Sequence, residues 1–210
     1  DTVHARIIGR GGHAAMPHDC ADPIPVACEI VTALQMHVAR RVPVADPAVL
    51  TITKINAGSS HNIIPGEVTL MGTLRTLSDM TREGMRSAFE QIVKGIAAAH
   101  GLTAETWIEE GYPVTMNDPR ATELMESIAG DVGAGWDVMS APMMGGEDFS
   151  YVLRDIPGSM AFIGVAPEGS DHRTNPPLHN TKMTIDESVM AKGIAMHCTL
   201  AERYLTNGFD

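Results

Sequence analysis

Apolar and polar positions change period along the chain, and the changes mark its elements. Val3 to Gly9 reads as a strand that runs into the turn-rich Gly9-Arg10-Gly11-Gly12. Asp22-Pro23 then supplies a helix cap with proline in the first turn, and Ala27, Ile30, Val31, Leu34 and Val38 recur at helical spacing. This predicts a helix from about Ile24 to Ala39 with one face against a sheet. Val49 to Ala57 and Glu67 to Arg75 are β-branched runs separated by residues 58–66, a loop longer than a tight hairpin turn. In the second run Val68, Leu70 and Leu74 share a face, and Thr69, Met71, Thr73 and Arg75 take the other, so Arg75 projects away from the apolar side. Met85, Ala88, Phe89, Ile92 and Ile96 mark a second amphipathic helix ended by His100-Gly101, and Thr103 to Glu110 alternates as a last strand. The order βαββαβ is that of the ferredoxin-like split unit, an α+β fold in which two helices cover one sheet face and the other is left free for a partner.

The pattern changes after Gly111-Tyr112-Pro113. Asn117-Asp118-Pro119 caps a helix carrying Leu124, Met125 and Ile128 on one face, and Pro142 to Gly146 is an irregular loop. Glu147 to Arg154 reads as a short helix, Ser159 to Val165 as a buried strand, and Asp186 to Tyr204 as a long final helix. The expected domains are therefore 1–111 and 112–210, the second α/β in character but short of strands and thin-cored for roughly a hundred residues.

Composition narrows what such a chain can do. With 44% hydrophobic and 20% charged residues it is ordinary globular material, which excludes disorder. Its 15 lysines and arginines against 26 acids give a formal charge of -11, so nucleic acid and anionic membranes are poor partners. No apolar run approaches the roughly 20 residues needed to cross a bilayer. Cys20, Cys28 and Cys198 follow no metal-ligand spacing and are expected as reduced core thiols, which fits a reducing, cytoplasmic location. Any targeting peptide is expected upstream of Asp1.

Four segments could carry chemistry. His13 follows a glycine pair, where the backbone can turn sharply and present the ring away from the sheet, although a loop histidine without a role fits equally. Asn62, in His61-Asn62-Ile63-Ile64-Pro65, sits between two strands, where asparagine also commonly just makes a turn. Gly145-Gly146-Glu147-Asp148-Phe149 combines glycines with acids opening a helix, where acids also merely compensate the dipole. His179 lies in the proline-stiffened loop Asn175 to Asn180; a rigid loop suits a metal ligand, yet one histidine cannot hold a metal alone. His4, His18, His37, His100, His172 and His197 lack the i, i+4 pairing of a helical metal site and read as surface or interface residues.

Taken in order, Gly9-Arg10-Gly11-Gly12-His13-Ala14-Ala15, Asn62-Ile63-Ile64-Pro65, Gly72-Thr73-Leu74-Arg75, Gly146-Glu147-Asp148-Phe149, and Leu178-His179 with Asp186-Glu187 resemble the hippurate hydrolase and auxin-conjugate hydrolase family of metallo-amidohydrolases, relatives of aminoacylase and carboxypeptidase G. The resemblance spans nearly the whole chain; Arg10 stands where many members have lysine. It implies a ferredoxin-like lid and dimerisation domain followed by the C-terminal part of a zinc-peptidase-like α/β catalytic domain. The implied activity is cleavage of the amide bond of N-acyl amino acids by metal-bound water, with a pair of divalent ions (zinc, manganese or cobalt) as cofactor. It further implies His179 as a metal ligand and His13 as a donor to the carbonyl oxygen in the active site of a homodimer mate. Asn62 would assist His13, Arg75 would pair with the substrate carboxylate, and Gly146 would line the substrate site. A dipeptidase or carboxypeptidase of the same superfamily is the alternative, since Arg75 would serve both. In family members the other metal ligands and the general base precede the lid, so a chain complete as given would instead be a non-catalytic dimerisation module.

Overall fold

A computed structural model describes residues 1–167, 169–171 and 174–209; His172 lies outside the described residues. The chain divides into two compact units, Asp1–Val114 with Met143–Asp148, and Thr115–Pro142 with Phe149–Asp210.

The first unit is a four-stranded antiparallel sheet built from β1 (Thr2–Ile8), β3 (Ala48–Ala57), β5 (Glu67–Thr76) and β6 (Thr103–Glu109), in the order β3-β5-β1-β6. Helices α1 (Pro23–Arg41) and α2 (Asp79–Ala99) intervene as the ferredoxin-like order requires. Strict alternation fixes the faces. Val3, Ala5 and Ile7 of β1 and Val68, Leu70 and Leu74 of β5 are buried, and they form one cluster with Val26, Ala27, Ile30 and Leu34 of α1 and Met85, Phe89 and Val93 of α2. Each helix presents a stripe at i, i+3, i+4 and i+7, so a single apolar core lies between sheet and helices. The opposite face carries Thr2, His4 and Arg6 beside Glu109, Trp107 and Glu105, and it is polar with one aromatic stack: the His4 and Trp107 rings lie 4.8 Å apart at 9°. His4 Nε2 is 3.1 Å from a Glu109 carboxylate oxygen but without hydrogen-bond alignment.

The first helix starts as the sequence predicts, and the second is capped by a residue its periodicity did not single out. Asp22 accepts from the Ile24 N–H with Pro23 in the first turn, and Ser78 accepts from the Thr81 N–H. A feature the sequence did not announce is a second, two-stranded sheet, β2 (Gly12–His13) paired with β4 (Ile63–Ile64), which ties the loop after β1 to the loop between β3 and β5.

The second unit holds α3 (Pro119–Asp131), α4 (Phe149–Asp155) and α5 (Met190–Asn207), the last preceded by one 3-10 turn at Glu187–Val189. The expected strand at Ser159–Val165 does not form, and Phe162 and Ile163 are 59% and 50% exposed. A strand needs a neighbour for its backbone groups, and here Met160 instead exchanges two 3.0 Å bonds with the side-chain amide of Asn117. The cysteines also depart from expectation. All three are free, but Cys28 and Cys198 are exposed and Cys20 is half-buried, because Cys28 and Cys198 fall on the solvent sides of α1 and α5 rather than on their apolar stripes. Among the described residues no helix is long and apolar enough to cross a membrane.

Candidate functional site

His13 and Asn62 are brought together by the β2–β4 ladder, in which His13 opposes Ile63 and the Ala14 N–H donates to the Asn62 carbonyl at 3.0 Å. The glycines ahead of His13 make this approach possible through what they lack. A Cβ on Gly11 would lie 2.5 Å from the Ile64 carbonyl oxygen, and one on Gly12 would lie 2.6 Å from Cys20 Sγ. Neither glycine has a positive φ, so close approach, not turn conformation, is what demands them.

Both side chains are exposed, and each has one hydrogen-bonding end already committed. The Ala15 N–H donates to His13 Nδ1 at 3.1 Å, and the Ser60 hydroxyl donates to Asn62 Oδ1 at 2.7 Å. An Nδ1 that accepts carries no proton, so a neutral ring bears its hydrogen on Nε2. The free ends of the two residues are therefore both donors, the Nε2–H of His13 and the Nδ2 amide of Asn62. Two exposed donors, one on β2 and one immediately before β4, form an arrangement able to stabilise negative charge on an oxygen.

Arg75 lies on the polar sheet face, as the alternation of β5 predicts, and is half-buried. Its Nη1 donates to the Asp1 and Leu74 carbonyls at 3.2 and 3.1 Å, which fixes one corner of the guanidinium and leaves the Nε–Nη2 edge without a partner among the described residues. Gly146 packs on Tyr112, where an added Cβ would come 3.1 Å from the ring. The glutamate and aspartate after it precede α4 rather than open it, since the helix begins at Phe149.

His179 belongs to the second unit. It is exposed, at φ +70°, in a turn closed by the Asn180 N–H to the Pro177 carbonyl at 3.0 Å, and it is the one non-glycine residue with positive φ among those described. Asp186, further along, caps the 3-10 turn before α5; hydrogen bonds from Ser188 hold its carboxyl below the ordinary aspartate value. Among the described residues no three His, Cys, Asp or Glu side chains are placed to hold a metal ion. An exposed imidazole on a stiff turn is suited to supplying one ligand, and by itself it is insufficient for a site.

What the sequence left unnoticed is a buried ionic cluster at the start of β1, where Asp1 meets Arg82 and Arg86 of α2. Arginines one helical turn apart look like a solvated face, and their partner lies 81 residues from Arg82, so no local signal announces it.

Comparison with known proteins places these features. Residues 1–101 match the model of the peptidase dimerisation domain. The chain is 37% identical over 206 residues to the N-acetyl-L-cysteine deacetylase of Bacillus subtilis, covering 98% of this chain and 47% of that protein. It is 32% identical over 206 residues to the IAA-amino acid hydrolase ILR1-like 4 of Arabidopsis thaliana, covering 96% of this chain and 46% of that protein. A solved structure from Bacillus subtilis, described as a dinuclear metal binding peptidase from the M20 family, superposes with a TM-score of 0.73 at 26% identity, over 95% of this chain and 49% of that one. The chain spans about half the length of the curated relatives it matches. With the ferredoxin-like fold, the matched dimerisation domain and identities sustained across nearly all its residues, the chain belongs to the M20 amidohydrolase family.

Proposed function

We propose that this chain serves a metal-dependent amidohydrolase that cleaves N-acyl amino acids, working as a homodimer through its ferredoxin-like unit. The observation that carries the reading is the hydrogen bond from the Ala15 N–H to His13 Nδ1, which turns a protonated Nε2 outward beside the free amide of Asn62. When an amide is attacked, its carbonyl oxygen gains negative charge, and donors already oriented toward it stabilise that state more than the ground state. His13 and Asn62 would bind this oxygen. The unused edge of Arg75 would take the free carboxylate of the amino-acid part through parallel hydrogen bonds, a task for which a planar fork is better suited than lysine. Gly146, with no side chain, would leave room for substrate near Tyr112.

His179 would contribute one ligand to a pair of divalent ions, zinc, manganese or cobalt, and the remaining ligands would come from the part of the relatives' length that this chain does not span. Bound ions of this kind polarise a carbonyl and activate water at neutral pH. We place His13 in the partner's active site rather than its own, which makes the reading testable by complementation. Full-length His13→Ala and His179→Ala subunits, each inactive alone, are expected to regain activity when co-refolded. Random pairing of isologous dimers restores up to about a quarter of wild-type sites. A confirmed mixed dimer with no recovery would overturn the shared site.

The solved relative described as a peptidase favours a second reading, a dipeptidase or carboxypeptidase. Turnover of hippurate against a simple dipeptide by the full-length protein separates the two.

A further inference from the structure

The ionic cluster at the start of β1 is not used by the chemistry proposed above, and its construction is unusually complete. The Asp1 side chain is 1% exposed. Arg82 donates to its two carboxylate oxygens from Nε at 3.0 Å and Nη2 at 2.5 Å, and Arg86 does the same from Nε at 2.8 Å and Nη2 at 3.0 Å. The Gly111 N–H adds a fifth bond at 2.9 Å, and Gly111 can come this near because a Cβ there would lie 3.0 Å from the Asp1 nitrogen. Arg82 Nη2 also donates to the Gly111 carbonyl at 2.9 Å, while Glu110 lies 3.2 Å from Arg86 and offsets the second positive charge.

A buried ion pair is a poor device for stability alone, since well-packed apolar side chains of similar volume often do as well. What this one does achieve is to immobilise the backbone of Asp1 at the sheet end. The Asp1 carbonyl accepts from the Leu74 N–H at 2.9 Å and from Arg75 Nη1 at 3.2 Å. Together with the Leu74 carbonyl, the Asp1 carbonyl therefore anchors Nη1 of the Arg75 guanidinium, from which its unused edge extends.

We propose that Arg82 and Arg86 are positioning residues for the substrate carboxylate, acting from α2 through Asp1 upon Arg75. The inference rests on the reading of Arg75 as the carboxylate-binding residue. A guanidinium whose fork is misplaced loses the parallel geometry that distinguishes a carboxylate from a neutral amide.

The test uses the full-length protein, the N-acyl amino acid it hydrolyses fastest, and that compound's carboxamide, in which the carboxylate is blocked. Arg86→Gln is the main variant because Arg86 is partly exposed; Arg82→Lys stands beside it, since Arg82 is buried and its neutral variants risk misfolding. Arg86→Gln is expected to raise KM for the acid roughly tenfold, by displacement of the fork, with kcat nearly unchanged. The carboxamide should be hydrolysed as by the wild type, so the preference for acid over amide shrinks, and Arg86→Lys should restore part of it. Combined with Arg75→Ala, Arg86→Gln should cost nothing further, because both act on one contact. Equal losses on acid and carboxamide, or full additivity with Arg75→Ala, would overturn the positioning role while leaving Arg75 in place. If Arg75→Ala itself keeps the preference for the acid, the carboxylate reading of Arg75 fails, and this inference fails with it.

Discussion

His179 holds a left-handed backbone that costs a side-chain-bearing residue on the order of 1 kcal/mol, and glycine or asparagine would hold it with less strain. Under the proposed function, a turn that keeps histidine there would trade stability for the imidazole. His179→Asn is therefore expected to leave the urea midpoint of the protein unchanged or raised, and, if His179 is the ligand proposed for it, to reduce amide hydrolysis by about a hundredfold or more, beyond the roughly 10–100-fold typical of outer-shell partners. An active His179→Asn enzyme would remove the residue from the site. At this scale the sequence was informative about identity and silent about pose. The order of His13, Asn62, Arg75, Gly146 and His179 could be read directly, and so could the outward face of Arg75, because strand alternation determines it. That Gly11 and Gly12 serve close approach to Ile64 and Cys20 could not be read, since the atoms they avoid come from other segments.

Among the elements, α2 carries two duties, covering the sheet with Met85, Phe89 and Val93 and clamping Asp1 with Arg82 and Arg86. Its N-terminus is held by more than its own cap. The Ser78 and Thr81 hydroxyls both donate to Asp46 Oδ2 at 2.5 Å, and these bonds, Ser78 first, hold the Asp46 carboxyl below its ordinary 3.8. A carboxyl whose folded value is depressed adds stability above its unfolded value and loses that contribution as pH falls through the folded one. The stability difference between wild type and Asp46→Asn should then narrow as pH drops below about 4, in chemical denaturation at fixed salt. A difference independent of pH would mean that Asp46 does not act through its charge. The long periodic helices and strands of the first unit were legible because a core on one side imposes a period. The two-residue strands β2 and β4 are too short to have one. Ser159–Val165 misled because an apolar run implies burial without supplying the neighbouring strand that would pair with it.

Across the whole molecule the two units differ in how fully they satisfy themselves. The first has a continuous core of buried side chains, whereas α5 buries none and leaves Ile194 and Leu205 64% and 84% exposed. Side chains left open in this way are available for packing against further protein. This agrees with a chain that spans about half of its relatives' length. Periodicity alone did not disclose it, because α5 is patterned like any amphipathic helix and only its surroundings reveal how incompletely the described residues cover it.

The ladder joining β2 to β4 is two residue pairs long, while the sheet beside it is held by β1 and β5 along their whole lengths. Short pairings open at far lower free energy than a packed sheet. The donors His13 and Asn62 thus ride on a part of the first unit that heat is expected to loosen before its sheet. Rate should begin to fall several degrees below the calorimetric melting temperature, and reversibly, as the ladder frays and closes again. Loss of activity that coincides with melting would show the ladder to be as firm as the sheet. If the two temperatures do separate, the working range of the enzyme is set by two pairs of residues and not by its core.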